Sequence, residues 1–452
     1  MDLSRIEQAI KDSKGGITEK KEVVAAATLL VSSSGDDDDD DQNTSIKSSI
    51  DSGKALQLFL DHIPINSIPN FIIHNPYPAL AVKTTDSVGY AIQLMCDKNI
   101  YVASVVDKLD SKFDKRQYPE ESIGIIGLAS MVLWFLQEEE QSRTHWKDDI
   151  GNTEIEDEDF FSMLQRNPPI AQTKVGELAK LFLWDPFFPI HMNDSLFHVL
   201  LLFAKHQLQV LPVTEQSNTV ISGFVSPNAV IRALLESSGL EWFDNIADKA
   251  LSEFRFGNKL NVQIYGDQNM VDAIRILWES KLGSIAVVER ESKRLIGSVR
   301  SSDLYHLLTD VDLYNDRKNL KVDQFIQLDA VKVEKSHFTT KGKREDVEAL
   351  SMSERLSLQK GTVSPMIAPV AGKKTDSLKK AMKELVDAES KLSFIIDEDG
   401  RVEGLITLND IMVQFAPPCM DSRINGGGFF KSALQQTGCD IKGGTIVCDQ
   451  KL

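Results

Sequence analysis

The chain has 452 residues, of which 42% are hydrophobic and 26% charged, an ordinary globular composition with room for roughly two to four domains. A net charge of −17 repels both a phosphate backbone and an anionic lipid surface, which argues against nucleic-acid and membrane partners. The four cysteines, Cys96, Cys419, Cys439 and Cys448, make no Cys-x-x-Cys and no zinc-ligand spacing, and they suit a reducing compartment.

Residues 1–50 read as a disordered acidic arm, because the run Asp36 to Asp41 repels itself and stays solvated. The start of the chain has no signal-peptide pattern. Its apolar run Val23 to Val31 is too short to cross a bilayer, so a cytoplasmic and/or nuclear location is expected.

Four repeated units follow, expected over residues 51–137, 170–240, 241–328 and 363–416. Each opens on an amphipathic helix with apolar residues at i, i+3, i+4 and i+7. The quartets are Val88/Ala91/Ile92/Met95, Leu196/Val199/Leu200/Phe203, Met270/Ala273/Ile274/Leu277 and Leu378/Ala381/Met382/Leu385. Asp86, Asp194 and Asp376 stand where a helix cap is expected. A short apolar strand comes next, as in Val102–Val106, Val210–Val213, Ile285–Val288 and Phe394–Ile396. A polar turn and a second strand bearing Gly124, Gly223, Gly297 or Gly404 complete the pattern, before a closing helix. The glycine falls 27, 27 and 26 residues after the first quartet residue in the last three units, and 36 in the first. Agreement this close is the mark of an internal repeat.

Between and around the units lie an acidic loop at 138–169, a polar linker at 329–362 and a tail at 417–452. The fold class expected is α+β: four β-α-β-β-α units paired into two pseudo-twofold tandem units, with clefts between paired sheets as the natural ligand sites. Trp184, Phe187, Phe188, Trp242 and Phe243 read first as core or inter-unit packing, and as a partner surface second.

This architecture resembles the CBS (cystathionine-β-synthase) module, and the resemblance covers most of residues 56–416. The strings Lys54-Ala55-Leu56 through Ile63-Pro64, Leu183-Trp184-Asp185-Pro186-Phe187 and Gly239-Leu240-Glu241-Trp242-Phe243 are similar to the plant γ-type subunits of the sucrose-non-fermenting-related kinase, kin to the AMP-activated kinase. The resemblance implies a heterotrimer with a kinase α subunit and a scaffolding β subunit. It also implies a nucleotide signature, Gly-x-x-[Ser/Thr]-x-x-Asp, whose carboxylate holds ribose and whose hydroxyl lies near phosphate. Free N–H groups at the helix start suit an anion there.

The fourth unit matches in full, with Gly404, Thr407 and Asp410. The third keeps Gly297 and Asp303 but has Arg300 at the hydroxyl position. The second has Gly223 and Ser226 but Ala229 in place of the carboxylate, and the first has Gly124, Gly127 and Ser130. Lys391, just before a strand of the fourth unit, and Arg300 are the candidate phosphate cations. The candidate nucleotide-binding residues are therefore Thr407, Asp410, Lys391, Arg300, Asp303 and Ser226. No cofactor is required; AMP, ADP or ATP is the implied regulatory ligand. An aspartate at a helix start is also a common cap, and that reading stays open beside the first.

No catalytic constellation appears. His-Glu-x-x-His, Gly-x-Ser-x-Gly and the kinase set are absent, and Gly426-Gly427-Gly428-Phe429-Phe430-Lys431-Ser432 lacks the glycine a phosphate loop needs before its lysine. Two readings result. One is a non-catalytic regulatory kinase subunit; the other is a degenerate scaffold of the same modules that binds a protein without nucleotide.

Overall fold

The structure is a computed structural model that describes residues 60–74, 80–107, 121–146, 159–181, 184–215, 221–254, 256, 262–328, 368–416, 439–442 and 445–448. The expected acidic arm and the polar linker at 329–362 lie outside these residues. Of the tail, an antiparallel pair, Cys439–Lys442 with Thr445–Cys448, is described beyond residue 416.

Four β-α-β-β-α modules are present. The strands flanking and forming modules 1 and 2 are β1 (Ile73–His74), β2 (Ala81–Lys83), β3 (Val102–Asp107), β4 (Glu121–Gly127), β5 (Trp184–Pro186), β6 (Ile190–His191), β7 (Leu211–Thr214) and β8 (Ile221–Val225). Those of modules 3 and 4 are β9 (Gln263–Tyr265), β10 (Ser284–Val288), β11 (Leu295–Arg300), β12 (Ala371–Lys373), β13 (Leu392–Ile396) and β14 (Val402–Thr407). The paired helices are α1 (Val88–Asp97) and α2 (Leu128–Trp146), α3 (Leu196–Lys205) and α4 (Pro227–Leu235), α5 (Met270–Ser280) and α6 (Tyr305–Thr309), and α7 (Leu378–Asp387) and α8 (Leu408–Phe415). A 3₁₀ turn, Ser301–Leu304, leads into α6.

In each module the first strand lies parallel to the second and the second antiparallel to the third. The parallel pair requires a crossover, and the first helix supplies it. All sixteen quartet residues are buried at 3% exposure or less, so the helical period identified the core face.

The helix caps differ from expectation by one residue. Ser87, Ser195, Asn269 and Ser377 accept from the N–H three residues on, at 3.3, 3.2, 2.9 and 3.2 Å. Asp86, Asp194 and Asp376 instead turn back and accept from the N–H of Lys83, His191 and Lys373, each at 2.8 Å. An aspartate one place before the cap closes the preceding turn; the following hydroxyl is the group in reach of the helix.

The modules exchange their lead-in segments. Ile65 N–H donates to Asp194 C=O (2.9 Å) and Leu196 N–H to Ile63 C=O (2.8 Å), so chain preceding module 1 is bound to module 2. Val175 with Asp86 (2.9 Å) and Val88 with Thr173 (2.8 Å) return the exchange from module 2 to module 1. The same two bonds recur between modules 3 and 4, through Leu251 with Asp376 and Leu378 with Lys249, and through Val322 with Gln268 and Met270 with Leu320. β1 extends the module 2 sheet on β8, and β5 extends the module 1 sheet on β4. Gly223 is required by this exchange, since a Cβ there would stand 2.7 Å from the Ile73 carbonyl oxygen.

Packing then closes a ring. The sheets of modules 1 and 2 meet through Ile125, Ile221 and Phe224. Those of modules 3 and 4 meet through Ala286, Val288, Leu392, Phe394 and Leu405. The helices bury their faces in the other direction: modules 1 and 3 share one apolar core, and modules 2 and 4 share the other. Each module therefore covers its sheet against one neighbour and its helices against another, as two-faced elements must to exclude water.

The segment expected to be an acidic loop is substantially helical. α2 continues through Trp146, and Phe160–Arg166 forms another helix whose Phe160 and Phe161 are buried. Glu139 and Glu140 are buried with it. Arg317 of module 3 donates from Nη2 to Glu139 at 3.0 Å and to Glu140 at 2.8 Å, and the Tyr314 hydroxyl donates to Glu139 at 2.9 Å. A local run of acids looks solvated until a distant arginine is placed beside it. Trp242 and Phe243 are likewise core residues, 4% and 0% exposed.

Candidate site at the strand–helix junctions

The signature residues stand where the third strand of each module passes into the second helix. In module 4, Thr407 is the N-cap of α8. Its hydroxyl accepts from the Asp410 N–H at 3.2 Å and donates to Asp410 Oδ2 at 2.7 Å; the Thr407 N–H also donates to Oδ2, at 2.9 Å. The structure thus brings Thr407 and Asp410 together in a reciprocal cap, which holds the half-buried carboxylate at the junction.

In module 3 the pair is ionic. Asp303 is 3% exposed, and Arg300 donates to it from its backbone N–H at 2.8 Å, from Nε at 3.0 Å and from Nη2 at 2.6 Å. Both residues were candidates for ligand contacts, and here they contact each other. In module 2, Ser226 caps α4 by accepting from the Ala229 N–H at 3.3 Å, and Ala229 is buried. In module 1, Gly127 holds the hydroxyl position, and a Cβ there would stand 3.3 Å from the Gln209 side chain of module 2.

Lys391 precedes β13, and its C=O accepts from the Leu408 N–H at 3.1 Å, tying it to the start of α8. Its side chain reaches solvent, yet protein crowds the ammonium group, and desolvation holds its pKa below the usual lysine range. The opposing charge is Asp185 on β5, which extends the module 1 sheet. Burial pushes the Asp185 carboxyl up, against the Gln209 N–H that donates to it at 2.7 Å and against Lys391.

A cavity lies between the module 3 sheet and the lead-in of module 4, walled by Ser284, Ser298, Arg300, Val370, Ser390 and Leu392. By strand register, Ile395 opposite Gly404 corresponds to Val213 opposite Gly223, so Val370 and Ala388 correspond to Phe188 and His206. In module 2 those two rings stack at 4.6 Å between centroids. Sequence reasoning missed this stacking and the Arg317–Glu139 contact. The Arg300–Asp303 pairing had a local signal, since opposite charges three apart at a helix start meet.

Among the described residues no group of His, Cys, Asp and Glu is arranged to hold a metal ion, and no helix is long and apolar enough to cross a membrane.

A family model described as CBS domain matches residues 175–236 and 367–416, the second and fourth modules. The chain is 24% identical over 388 residues to the SNF1-related protein kinase regulatory subunit gamma-1 of Arabidopsis thaliana, across 81% of this chain and 85% of that protein. It is 25% identical to Protein SDS23 of Candida albicans across 35% of this chain and 26% of that protein. Among solved structures, a Methanocaldococcus jannaschii protein described as an archaeal γ-AMPK homologue aligns over 76% of this chain and 98% of that one, at 17% identity and a TM-score of 0.44.

Proposed function

Since the chain is a CBS-domain protein related over most of its length to a plant SNF1-related kinase γ subunit, we propose that it is itself a non-catalytic regulatory subunit of that kind. In this reading it sits in a heterotrimer with a kinase α subunit and a scaffolding β subunit, in the cytoplasm and/or the nucleus. The observation that supports it is the ring: four modules joined by reciprocal exchange present composite surfaces and clefts. Affinity purification of the chain co-expressed with α and β subunits tests the assignment. Stable co-elution of all three is the expected result; a chain that elutes alone refutes it.

An adenine nucleotide, AMP, ADP or ATP, is the regulatory ligand in this reading. Module 4 is the place for it, because Gly404, Thr407 and Asp410 carry the complete signature and the cap presents the carboxylate at a helix start. A ligand there regulates only through unequal affinity for two states of the complex. Calorimetric titration with each nucleotide, repeated on Asp410→Ala, is the measurement.

One observation favours the second reading, a scaffold that binds protein without nucleotide. Thr407 and Asp410 satisfy each other, and Arg300 and Asp303 do the same. Absence of heat with all three nucleotides, together with intact α and β binding, would select it.

A further inference from the structure

Modules 3 and 4 carry the same carboxylate at the same junction and satisfy it differently. In module 4 a neutral threonine engages one oxygen, Oδ2, of Asp410. In module 3 Arg300 engages both oxygens of Asp303, taking Oδ2 with its backbone N–H and Oδ1 with Nε and Nη2. A ribose diol needs the same lone pairs and offers only neutral hydrogen bonds. Those are weaker than the charge-assisted fork already in place. Removing the guanidinium from a carboxylate that is 3% exposed would also leave a buried charge without its counter-charge. The Arg300 side chain further walls the cavity between the module 3 sheet and module 4.

We infer that Arg300 is a specificity-determining residue that closes the module 3 junction to nucleosides by serving as a permanent partner for Asp303. This rests on the carboxylate–ribose reading above. Replacing Arg300 with the threonine found at the matching position of module 4 opens a site.

The test is calorimetric titration of the full chain with AMP, across Asp303→Asn, Asp410→Asn, Arg300→Thr/Asp410→Asn, and the last with Asp303→Asn added. Asp303→Asn alone is expected to leave AMP binding as in the native chain. Arg300→Thr/Asp410→Asn is expected to bind AMP at least about tenfold more tightly than Asp410→Asn, by removal of one charge-assisted pair, and the added Asp303→Asn is expected to abolish that gain. A tenfold loss from Asp303→Asn alone, or no gain in the double variant, overturns the inference. If Arg300→Thr/Asp410→Asn shows no cooperative thermal transition, Arg300→Gln/Asp410→Asn takes its place with the same expected gain. Should native chain and Asp410→Asn bind AMP equally poorly, the module 4 reading fails while the Arg300 comparison still decides this one.

Discussion

Substitution of Arg317 by methionine isolates the contact that joins modules 1 and 3. Arg317 is 2% exposed and Glu139 1%, and the arginine Nη2 reaches both Glu139 oxygens at 3.0 Å. Glu140 keeps Lys318 at 3.3 Å, so Glu139 is the buried carboxylate that loses its arginine contacts. Breaking one side of a buried ion pair costs about 3–5 kcal/mol, most of it the penalty of the abandoned charge. At about 2–4 °C per kcal/mol for units of this size, Arg317→Met should lower the apparent melting temperature by roughly 6–20 °C. Adding Glu139→Gln removes the buried charge and should restore most of the loss. Circular-dichroism melts of the native chain and both variants provide the measurement. A loss below about 1 kcal/mol for the single variant, or a double variant no better than the single, would refute the assignment of this pair to the buried interface.

Two further outcomes follow from local geometry. Gly223→Ala should destabilise by about 1–3 kcal/mol, because the new Cβ meets the Ile73 carbonyl of an exchanged strand, whereas Gly297→Ala meets only the flexible end of Ile326 and should cost less; paired urea melts compare them. Burial pushes the Cys96 thiol up to about 12, with Asp97 adding to the shift, so Cys96 should resist iodoacetamide at pH 8 in the folded chain and react once it is unfolded in urea; site-resolved mass spectrometry reads this, and rapid native labelling would contradict it.

Some of this molecule was legible in one dimension. The quartets from Val88 to Leu385 announce four helices, because a period of 3.6 residues exposes which side must be buried. Of the recurring glycines, Gly223 marks a close approach of backbone, whereas Gly297 faces the Ile326 side chain and Gly404 has room for a Cβ. The register of Val102–Val106, Ile285–Val288 and Phe394–Ile396 to those glycines is short-range, and it survives folding unchanged. The signature at Thr407 and Asp410 was readable for the same reason, since cap and carboxylate lie within one helical turn.

The caps were misplaced by one residue because Asp86, Asp194 and Asp376 and the residues after them all carry side-chain oxygens in reach of a turn. Only backbone direction decides which one faces the helix. Glu138 to Glu140 read as solvated because charge runs normally are, and nothing nearby in sequence reveals Arg317, which lies 178 residues from Glu139. The same holds for the lead-in exchange, which hydrogen bonds between residues about 50 to 130 apart bring about, and for the stacking of Phe188 on His206.

By itself, then, the amino-acid order determined four modules, their core faces and the cap pairing of Thr407 with Asp410, because each of these depends on contacts within a turn or a hairpin. Which module covers which, that Lys391 feels the charge of Asp185, and that Asp303 is already bound by Arg300 were decided only when the ring closed. These depend on which distant surfaces come together to exclude water, and no local pattern encodes that choice.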